Sequence, residues 1–429
     1  MTNGAAARLA RRPRILAIGH FVEGIGLTRV MREILRPLAA EFEIDYLGIA
    51  YQGPTIRTDG MTVHPTNPRG GDAFGAHQAR AMIEAEAPDI VFLLHDLWVF
   101  EHFSEVFAPV RDQAIFVGYI PLDGAIRDEG LAKAVRGLDL AIVYTDWAAR
   151  EMDGALSRLQ ALDPAAARPM VGVVPHGVDT AVFRPPAELA VADFDPRGRA
   201  AAKRRVFPTL GDPETSFVVL NANRPAIRKR VDHTIEAFAA FAQGKPANVK
   251  LCLHQAITDE STGALLELAR ARGLEHRLIY NPLAARGAVL TDEDLTGLMG
   301  ACDVGLNTSM GEGWGLLSFE HAAAGAAQIV PRSSACAELW SEETALLVDI
   351  GWRGVPPFSP LELAAVDVGQ AAAAMQALYA DRGRLQRLSK AGHAYANRPE
   401  FRWGAIAETW RTLFRGLTAA DATLRSAAG

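Results

Sequence analysis

Short apolar runs bounded by turn residues alternate with segments of helical periodicity along almost the whole chain. This alternation is typical of β-α units on a parallel sheet, because helical crossovers join parallel strands. In the first half, the strand candidates are RILAIG (14–19), EIDYLGI (43–49), DIVFLLH (89–95), AIFVGYIP (114–121), LAIVYT (140–145) and VGVVP (171–175). In the second half, they are SFVVLNAN (216–223), VKLCLHQ (249–255), RLIYNP (277–282), DVGLNTS (303–309), QIVP (328–331) and ALLVD (345–349). The pattern predicts an α/β fold.

The length predicts two domains. The chain has 429 residues, and a single hydrophobic core stops growing near 250–300 residues, roughly. A stretch rich in proline and charge separates the two strand series, which is typical of a domain boundary. We therefore expect an N-terminal domain over 1–190, a linker over 191–209 and a C-terminal domain over 210–400.

Composition excludes several function classes. With 44 basic and 50 acidic residues the net charge is -6, which gives no general attraction to nucleic acid or anionic lipid, so any anion site must be local. No apolar run approaches the ~20 residues of a membrane span, and no apolar segment typical of a secretory signal follows the arginines near the N-terminus. The three cysteines, Cys252, Cys302 and Cys336, match no metal motif and are odd in number. We interpret them as buried thiols of a cytoplasmic protein.

Ligands of open parallel sheets bind beyond the carboxyl ends of the strands. The first such loop, in IGHFVEGIGLTRVM, places Gly24 and Gly26 before a helix that is expected to start near Leu27. Glycines let the backbone approach a ligand closely, and a helix N-terminus offers N–H groups to an anion. The spacing is not G-x-G-x-x-G, and glycine-rich β-α turns without phosphate are common, so this loop alone decides nothing.

A second loop, NANRPAIRKRVD, concentrates positive charge directly after a strand. Arg224, Arg228, Lys229 and Arg230 lie within seven residues. Such a cluster suits a diphosphate, since arginine grips phosphate with two hydrogen bonds and lysine adds a point charge. A solvated basic turn explains the same residues equally well.

A third stretch, GEGWGLLSFEHAAAG, places two carboxylates eight positions apart. Glu312 lies in a glycine-rich loop after a strand, and Glu320 lies about one turn into the next helix. Carboxylates accept hydrogen bonds from vicinal hydroxyls, which is how proteins commonly hold a ribose or a sugar ring. The alternative for Glu320 is that it only complements the helix dipole.

Together these motifs resemble those of the retaining glycosyltransferases of the GT-B fold, in the large group 1 family that uses nucleotide sugars. EGWGLLSFEHAAAG is similar to the family's Glu-x7-Glu motif, and the pair Arg224 and Lys229 is similar to its Arg-to-Lys pair. VVPHGVDTAVFRP and ACDVGLNTS are similar to family sequences at the same places, so the resemblance covers nearly the whole chain. It implies two doubly wound Rossmann-like domains, and FRWGAIAETWRTLF implies a C-terminal helix, 402–429, that crosses back to complete the first domain.

The resemblance also implies residue roles. Arg224 and Lys229 would hold the donor's diphosphate, Glu320 the ribose hydroxyls and Glu312 the donor sugar near the reacting carbon. Gly24 and Gly26 would let the first domain's loop close over the phosphates. Further donor contacts would come from the residues between the glutamates, namely Gly313, Trp314, Gly315 and Leu316.

Retention is explained in this family by front-face attack, which needs no protein nucleophile, and no G-x-S-x-G motif is present. The resemblance implies neither metal nor cofactor, because cationic side chains and helix N-termini stabilise the leaving diphosphate. The family often has a histidine near the donor sugar. His95 is the catalytic candidate, and His20, Asp96 and Asp123 are candidates on the acceptor side; structural roles remain the alternative for all four.

The sequence departs from the family pattern in three places, the first being the opening GIG (24–26), where GG is commoner, which leaves the contact residues of that loop open. Arg230 stands where the family usually has glycine, and LHQAITDEST (253–262) replaces a loop of small residues, which leaves the nucleotide base open. A UDP-sugar is favoured by family frequency. The first domain lacks a strongly basic, apolar-faced helix, so we expect a soluble acceptor: a small molecule, a saccharide or a protein side chain. A homo-oligomer stays open, as do a nucleotide-sugar epimerase and a non-catalytic nucleotide-sugar-binding protein.

Overall fold

The computed structural model describes residues 11–189, 194, 196–255, 260–280 and 291–428. The chain divides into two compact units. Unit 1 contains Met1–Gly177 and Trp403–Gly429, and unit 2 contains Val178–Arg402. Each unit holds a mainly parallel sheet connected by helices.

The described residues form sixteen β-strands and fourteen α-helices. The strands are β1 (Arg14–His20), β2 (Glu43–Ile49), β3 (Ile56–Thr58), β4 (Met61–Pro65), β5 (Ile90–Leu94), β6 (Ile115–Ile120), β7 (Leu140–Val143), β8 (Met170–Val173), β9 (Phe217–Asn221), β10 (Val249–Leu253), β11 (Leu278–Tyr280), β12 (Val304–Leu306), β13 (Ala327–Pro331), β14 (Leu346–Val348), β15 (Ile350–Gly354) and β16 (Leu363–Val366). The helices are α1 (Gly26–Leu38), α2 (Ala76–Glu86), α3 (Leu97–Phe107), α4 (Glu129–Ala132), α5 (Asp146–Leu162), α6 (Pro196–Val206), α7 (Val231–Ala242), α8 (Glu260–Ala271), α9 (Asp292–Ala301), α10 (Leu316–Ala323), α11 (Ser334–Leu339), α12 (Val368–Ala380), α13 (Arg382–Ala396) and α14 (Trp403–Ala428).

Unit 1 contains an eight-stranded sheet in the order β3-β4-β2-β1-β5-β6-β7-β8. Every neighbouring pair is parallel except β3 and β4. Unit 2 contains a parallel six-stranded sheet in the order β11-β10-β9-β12-β13-β14 and a separate antiparallel hairpin of β15 and β16. Central strands such as β5 and β9 are buried along their whole length, as their uninterrupted apolar runs predict.

The last helix, α14, packs in unit 1. Its side chains Trp410 and Phe414 are fully buried, and their rings lie 4.7 and 5.4 Å from the ring of Phe92 in β5. The guanidinium of Arg411 donates to the carbonyl oxygen of Pro37 in α1 at 3.0 Å. The C-terminal helix therefore supplies core side chains to the unit formed by the start of the chain.

The segment 191–209, predicted as a linker, contains α6. In α6, the buried Arg199 guanidinium donates to the carbonyl oxygens of Gly300 and Cys302 at 2.8 and 2.6 Å. The structure places α6 in unit 2 and divides the units after residue 177 rather than near 190. The prolines and charges of this segment predicted a linker, but two of its basic side chains, Arg199 and Lys203, donate to buried carbonyl groups.

Each main sheet has a point where the direction of strand addition reverses. In unit 1 it lies between the adjacent strands β1 and β5, and in unit 2 between β9 and β12. The connections leave such neighbours in opposite directions, which opens a crevice at their carboxyl ends where ligands of this fold class bind. These two crevices are where the predicted site residues should lie.

Candidate functional site

The basic loop that follows β9 is held in a specific backbone conformation. Residues Ile227–Lys229 form one 3-10 turn, and Arg230 then adopts φ +45°, in the left-handed region that favours glycine. The guanidinium of Arg230 is fixed by the carboxylate of Asp232, with N–O distances of 2.7 to 3.1 Å. This conformation explains why a glycine suits the position and why the departure at Arg230 carries a backbone cost.

Lys229 and Glu312 form a buried ion pair. Lys229 Nζ lies 2.6 and 2.7 Å from the two carboxylate oxygens, and Asn307 Nδ2 donates to Oε1 at 3.2 Å. Burial alone would raise the pKa of Glu312, which is 6 % exposed, but the charges of Lys229 and Arg228 and the two hydrogen bonds hold that pKa below its ordinary value. The pair therefore stays ionised at neutral pH. Asn307 was not predicted as a site residue from the sequence.

Hydroxyl groups tie the loop after β9 to the loop after β12. Thr308 Oγ1 donates to the carbonyl oxygen of Arg230 at 2.8 Å and lies 2.8 Å from Thr234 Oγ1. The backbone N–H of Met310 donates to the carbonyl oxygen of Arg228 at 2.8 Å. Neither threonine was predicted; the signal was the polar NTS run directly after a buried strand.

Arg224 is placed differently from Lys229. It is exposed, and it makes no side-chain hydrogen bond or ion pair with another residue in the described part of the chain. The preceding Asn223 is buried, and its N–H donates to Asn221 Oδ1 at 2.9 Å, which fixes the backbone where the loop begins. Arg224 is thus available to an anion from solution, whereas Lys229 already has a carboxylate partner.

The second glutamate of the motif lies in α10. Gly315 precedes this helix with φ +90°, which requires glycine, and Leu316 is the first helical residue. The first turn has neither a side-chain cap nor an acidic residue, so its N–H groups suit an anion. Glu320 lies further along the helix and is 4 % exposed.

Trp314 occupies the core rather than an open wall of the site. Its side chain is 3 % exposed, and its ring lies 5.0 Å from Phe319 and 5.8 Å from Phe401. Gly313 beside it is also buried. The side chain of Trp314 therefore anchors the loop, and contacts of Gly313 and Trp314 with a ligand would come from their backbone.

In unit 1, His20 ends β1 and His95 follows β5, so both lie at the crevice between these strands. Their ring centroids are 5.0 Å apart. The N–H of Asp96 donates to His95 Nδ1 at 2.8 Å, which places the proton of a neutral ring on Nε2. Burial lowers the pKa of His95 to about 4, so the ring is neutral at physiological pH.

The same edge gathers Asp96, Asp123 and Tyr144. Asp96 precedes α3 without capping it through its side chain. Burial raises the pKa of Tyr144 most, and the charges of Tyr119, Asp96 and Asp123 raise it further. That hydroxyl is buried and has no hydrogen-bond partner among the described residues. Tyr144 was missed in the sequence, where its position at the end of a predicted strand was the available signal.

The opening glycines lie where the sequence placed them. Gly24 has φ +81°, and Gly26 is the first residue of α1, one position before the predicted start. The first turn of α1 has no acidic residue and no side-chain cap. This helix N-terminus therefore resembles that of α10 in its suitability for an anion.

None of the helices among the described residues combines the length and hydrophobicity that crossing a membrane requires. No group of three or more histidine, cysteine, aspartate or glutamate side chains in this part of the chain is arranged to hold a metal ion. Of the atypical stretch 253–262, Leu253 ends β10, His254 is half-buried, Gln255 is buried and 260–262 begin α8, whereas 256–259 lie outside the described residues.

Comparison with solved structures confirms the predicted fold class. The chain is similar to sucrose-phosphate synthase from Thermosynechococcus elongatus, with TM-score 0.69, 19 % identity, and coverage of 96 % of this chain and 100 % of that one. It is similar to Anabaena HepE in complex with UDP and glucose, with TM-score 0.67, 14 % identity, and coverage of 94 % of this chain and 100 % of that one. It is also similar to α,α-trehalose 6-phosphate synthase from Burkholderia multivorans, with TM-score 0.67, 14 % identity, and coverage of 96 % of this chain and 99 % of that one. At these identities the likeness shows the fold alone, which is that of the GT-B glycosyltransferases.

Among curated proteins, the chain is similar to the GDP-mannose-dependent α-(1-6)-phosphatidylinositol dimannoside mannosyltransferases of two Mycobacterium tuberculosis strains. The identity is 26 % over 223 residues, which is 51 % of this chain and 47 % of each relative. The chain thus spans about half the length of the curated relatives it matches. No protein-family model matches the sequence.

Proposed function

We propose that this protein is a retaining glycosyltransferase that transfers a sugar from a nucleoside-diphosphate sugar to an acceptor hydroxyl without a metal ion. One observation carries the proposal: exposed Arg224 and the buried Lys229–Glu312 pair follow the two strands that flank the crevice of unit 2. Glu320 lies in the next helix. A nucleotide sugar needs cationic side chains to bind its diphosphate, and carboxylates to accept hydrogen bonds from the hydroxyls of its ribose and its sugar.

In this proposal the donor rearranges the ion pair. Arg224 and the N-terminus of α10 attract the diphosphate, which then gives Lys229 a second anionic partner. The Glu312 oxygens become available to the hydroxyls of the donor sugar, while Glu320 accepts hydrogen bonds from the ribose. The resting ion pair keeps both side chains ionised until the donor arrives.

The chemistry needs no protein nucleophile. The bond between the anomeric carbon and the diphosphate oxygen breaks as the acceptor oxygen bonds to the same face of that carbon. The acceptor's proton passes to the departing oxygen, and nucleoside diphosphate is released. Arg224 and Lys229 stabilise the charge that develops on the diphosphate. A His95 pKa of about 4 makes this ring a weak base, which supports proton transfer to the phosphate.

We assign His20, Asp96 and Asp123 to the acceptor side and keep His95 as the catalytic candidate of unit 1, donating from Nε2 to a hydroxyl. We favour a UDP-sugar donor, as in the HepE complex, over the GDP-mannose named for the curated relatives. The acceptor is a soluble small molecule, saccharide or protein side chain. The odd number of cysteines supports a cytoplasmic location.

A thermal-shift screen tests the donor site. The purified protein is heated with UDP, GDP, ADP or TDP and their common sugar conjugates, with and without EDTA. We expect one nucleotide series to raise the melting temperature equally with and without EDTA, because a ligand that binds only the folded state stabilises it. An unchanged melting temperature with every nucleotide and sugar conjugate would contradict the proposal.

Turnover then separates the function classes. A transferase releases nucleoside diphosphate when an acceptor is present. An epimerase changes its donor with no acceptor, and a binding protein does neither. Product stereochemistry, read by NMR of the new glycosidic bond, tests retention: an inverted anomeric centre would exclude the front-face reaction.

A further inference from the structure

Unit 2 exposes a cluster of large apolar side chains. Ile227, Trp352, Val355 and Phe358 are 68, 46, 55 and 46 % exposed, and they are half of the large apolar side chains that are exposed in the described residues. Ile227, Trp352 and Phe358 line one cavity of about 700 Å³, so they are contiguous. Single exposed apolar residues are normal, but contiguous ones mark an interaction surface. We call these four residues the apolar patch.

The β15–β16 hairpin holds three residues of the apolar patch outward. One side of the hairpin packs on unit 2, where Leu363 and Ala365 are buried with Met310, and the N–H of Ala364 donates to the carbonyl oxygen of Met310 at 2.8 Å. The connecting segment 355–362, VPPFSPLE, contains three prolines, which restrict the backbone. An anchored, stiff hairpin cannot easily turn its apolar side chains inward.

Positive charge borders the apolar patch, in a chain whose net charge is -6. The loop 224–230 and the hairpin 350–366 contain five basic residues; Glu312, Asp232 and Glu362 pair with Lys229, Arg230 and Arg353, which leaves an excess of two positive charges. Arg224 is exposed, and Arg353, whose side chain is 52 % exposed, lies 3.7 Å from its partner Glu362. A second copy of this chain, docked patch to patch, would bring these like charges together. The charge therefore favours an anionic occupant.

We infer that the apolar patch docks on the surface of a lipid bilayer that contains anionic lipids. An aromatic ring such as Trp352 prefers the headgroup level, apolar side chains such as Phe358 enter the acyl boundary, and the arginines pair with anionic headgroups. This inference goes beyond the proposed function, because docking requires no particular donor or acceptor. It places the basic loop that carries Arg224 next to the bilayer.

Vesicle flotation tests the inference. The full chain is mixed with phosphatidylcholine vesicles, with or without phosphatidylglycerol. We expect flotation only with phosphatidylglycerol, and at least about tenfold weaker partitioning for the double variant Trp352→Ser, Phe358→Ser, since two apolar side chains no longer enter the bilayer. The matched control Leu162→Ser, in unit 1 and 74 % exposed, should float like the wild type. No flotation, or equal flotation of the double variant, overturns the inference.

Two charge-reversal variants test the contribution of the basic residues beside the apolar patch. Arg353→Glu should weaken flotation several-fold, whereas Arg387→Glu, whose side chain is 72 % exposed elsewhere in unit 2, should not. Equal flotation of both would remove the electrostatic part of the inference. Light scattering in solution measures self-association of the wild type and of the double variant. If the wild type dimerises and the double variant does not, while both bind vesicles equally, the apolar patch is a contact between copies and the inference is overturned. Nucleotide thermal shifts of these variants without vesicles report on the donor site separately, so either hypothesis can fail alone.

Discussion

The Lys229–Glu312 pair is the central feature at the scale of single residues. A buried ion pair adds little net stability, because losing hydration offsets much of the attraction. Its position between two strand ends, held by Asn307, therefore points to function. With its pKa below the ordinary value, Glu312 keeps the charge of Lys229 compensated at neutral pH. An incoming diphosphate must compete with a carboxylate that is already in place.

Replacing Glu312 by Gln tests this competition. The amide keeps the shape but removes the charge, so Lys229 is left to the diphosphate alone. We expect Glu312→Gln to bind free nucleoside diphosphate several-fold more tightly by calorimetry, while turnover falls because the sugar hydroxyls lose their acceptor. Glu267→Gln, on the exposed face of α8, is the control. Unchanged or weaker nucleotide affinity would show that the diphosphate does not compete for Lys229.

The two cations are tested by removal. Arg224→Ala and Lys229→Ala should each cost on the order of 2–4 kcal/mol of transition-state stabilisation, as the loss of preorganised charge does elsewhere. Arg387→Ala, on an exposed helix face, should leave kcat/KM near the wild-type value. Near-wild-type activity in both site variants would remove the diphosphate assignment.

At the scale of elements, the sequence predicted most strands and the residues that follow them, because apolar runs and turn residues are local signals. It did not predict that Lys229 and Glu312, 83 positions apart, would pair. That contact depends on β9 lying beside β12, although β10 and β11 come between them in the chain. The role of α6 was missed for a related reason: whether a basic run meets water or buried carbonyl groups is decided by tertiary packing.

The basic residues of α6 provide a stability test. Lys203 is 3 % exposed, and its Nζ lies 2.7 Å from the Asp303 carboxylate and donates to the carbonyl oxygen of Ser216 at 2.9 Å. Lys203→Met should lower the free energy of unfolding by about 3–5 kcal/mol, because Asp303 loses a buried cation. Arg204→Met on the exposed face should change it by less than about 0.5 kcal/mol. Urea denaturation measures the free energy of unfolding of both variants. If Lys203→Met and Arg204→Met are equally stable, α6 contributes no buried ion pair to unit 2 and acts as a linker.

At the scale of the whole molecule, three histidines are buried as neutral rings. Burial is the main cause that lowers the pKa of His95 to about 4 and of His176 and His321 to about 3. In the unfolded chain a histidine has a pKa of about 6.5. Below that pH the unfolded state binds protons that the folded state excludes, so stability falls as the pH falls.

Between about pH 7 and pH 5, above the range of most carboxylates, we expect the melting temperature to drop steadily. Each buried histidine contributes up to about 1.4 kcal/mol per pH unit below its unfolded pKa. His176→Phe, which keeps an aromatic ring beside Tyr144, should make the decline shallower. A melting temperature that is constant or rises over this interval would contradict neutral burial of these rings.

The discontinuity of unit 1 bears on how the chain folds during synthesis. Val178–Arg402 is continuous, so unit 2 can fold as soon as it leaves the ribosome. Unit 1 lacks Trp410 and Phe414, two core side chains, until α14 emerges. In a released chain truncated after residue 402, proteolysis should find unit 2 protected and unit 1 cleavable. The usual order, in which the N-terminal domain matures first, would then be reversed, and the first half of the protein would stay incompletely packed until the last residues are synthesised.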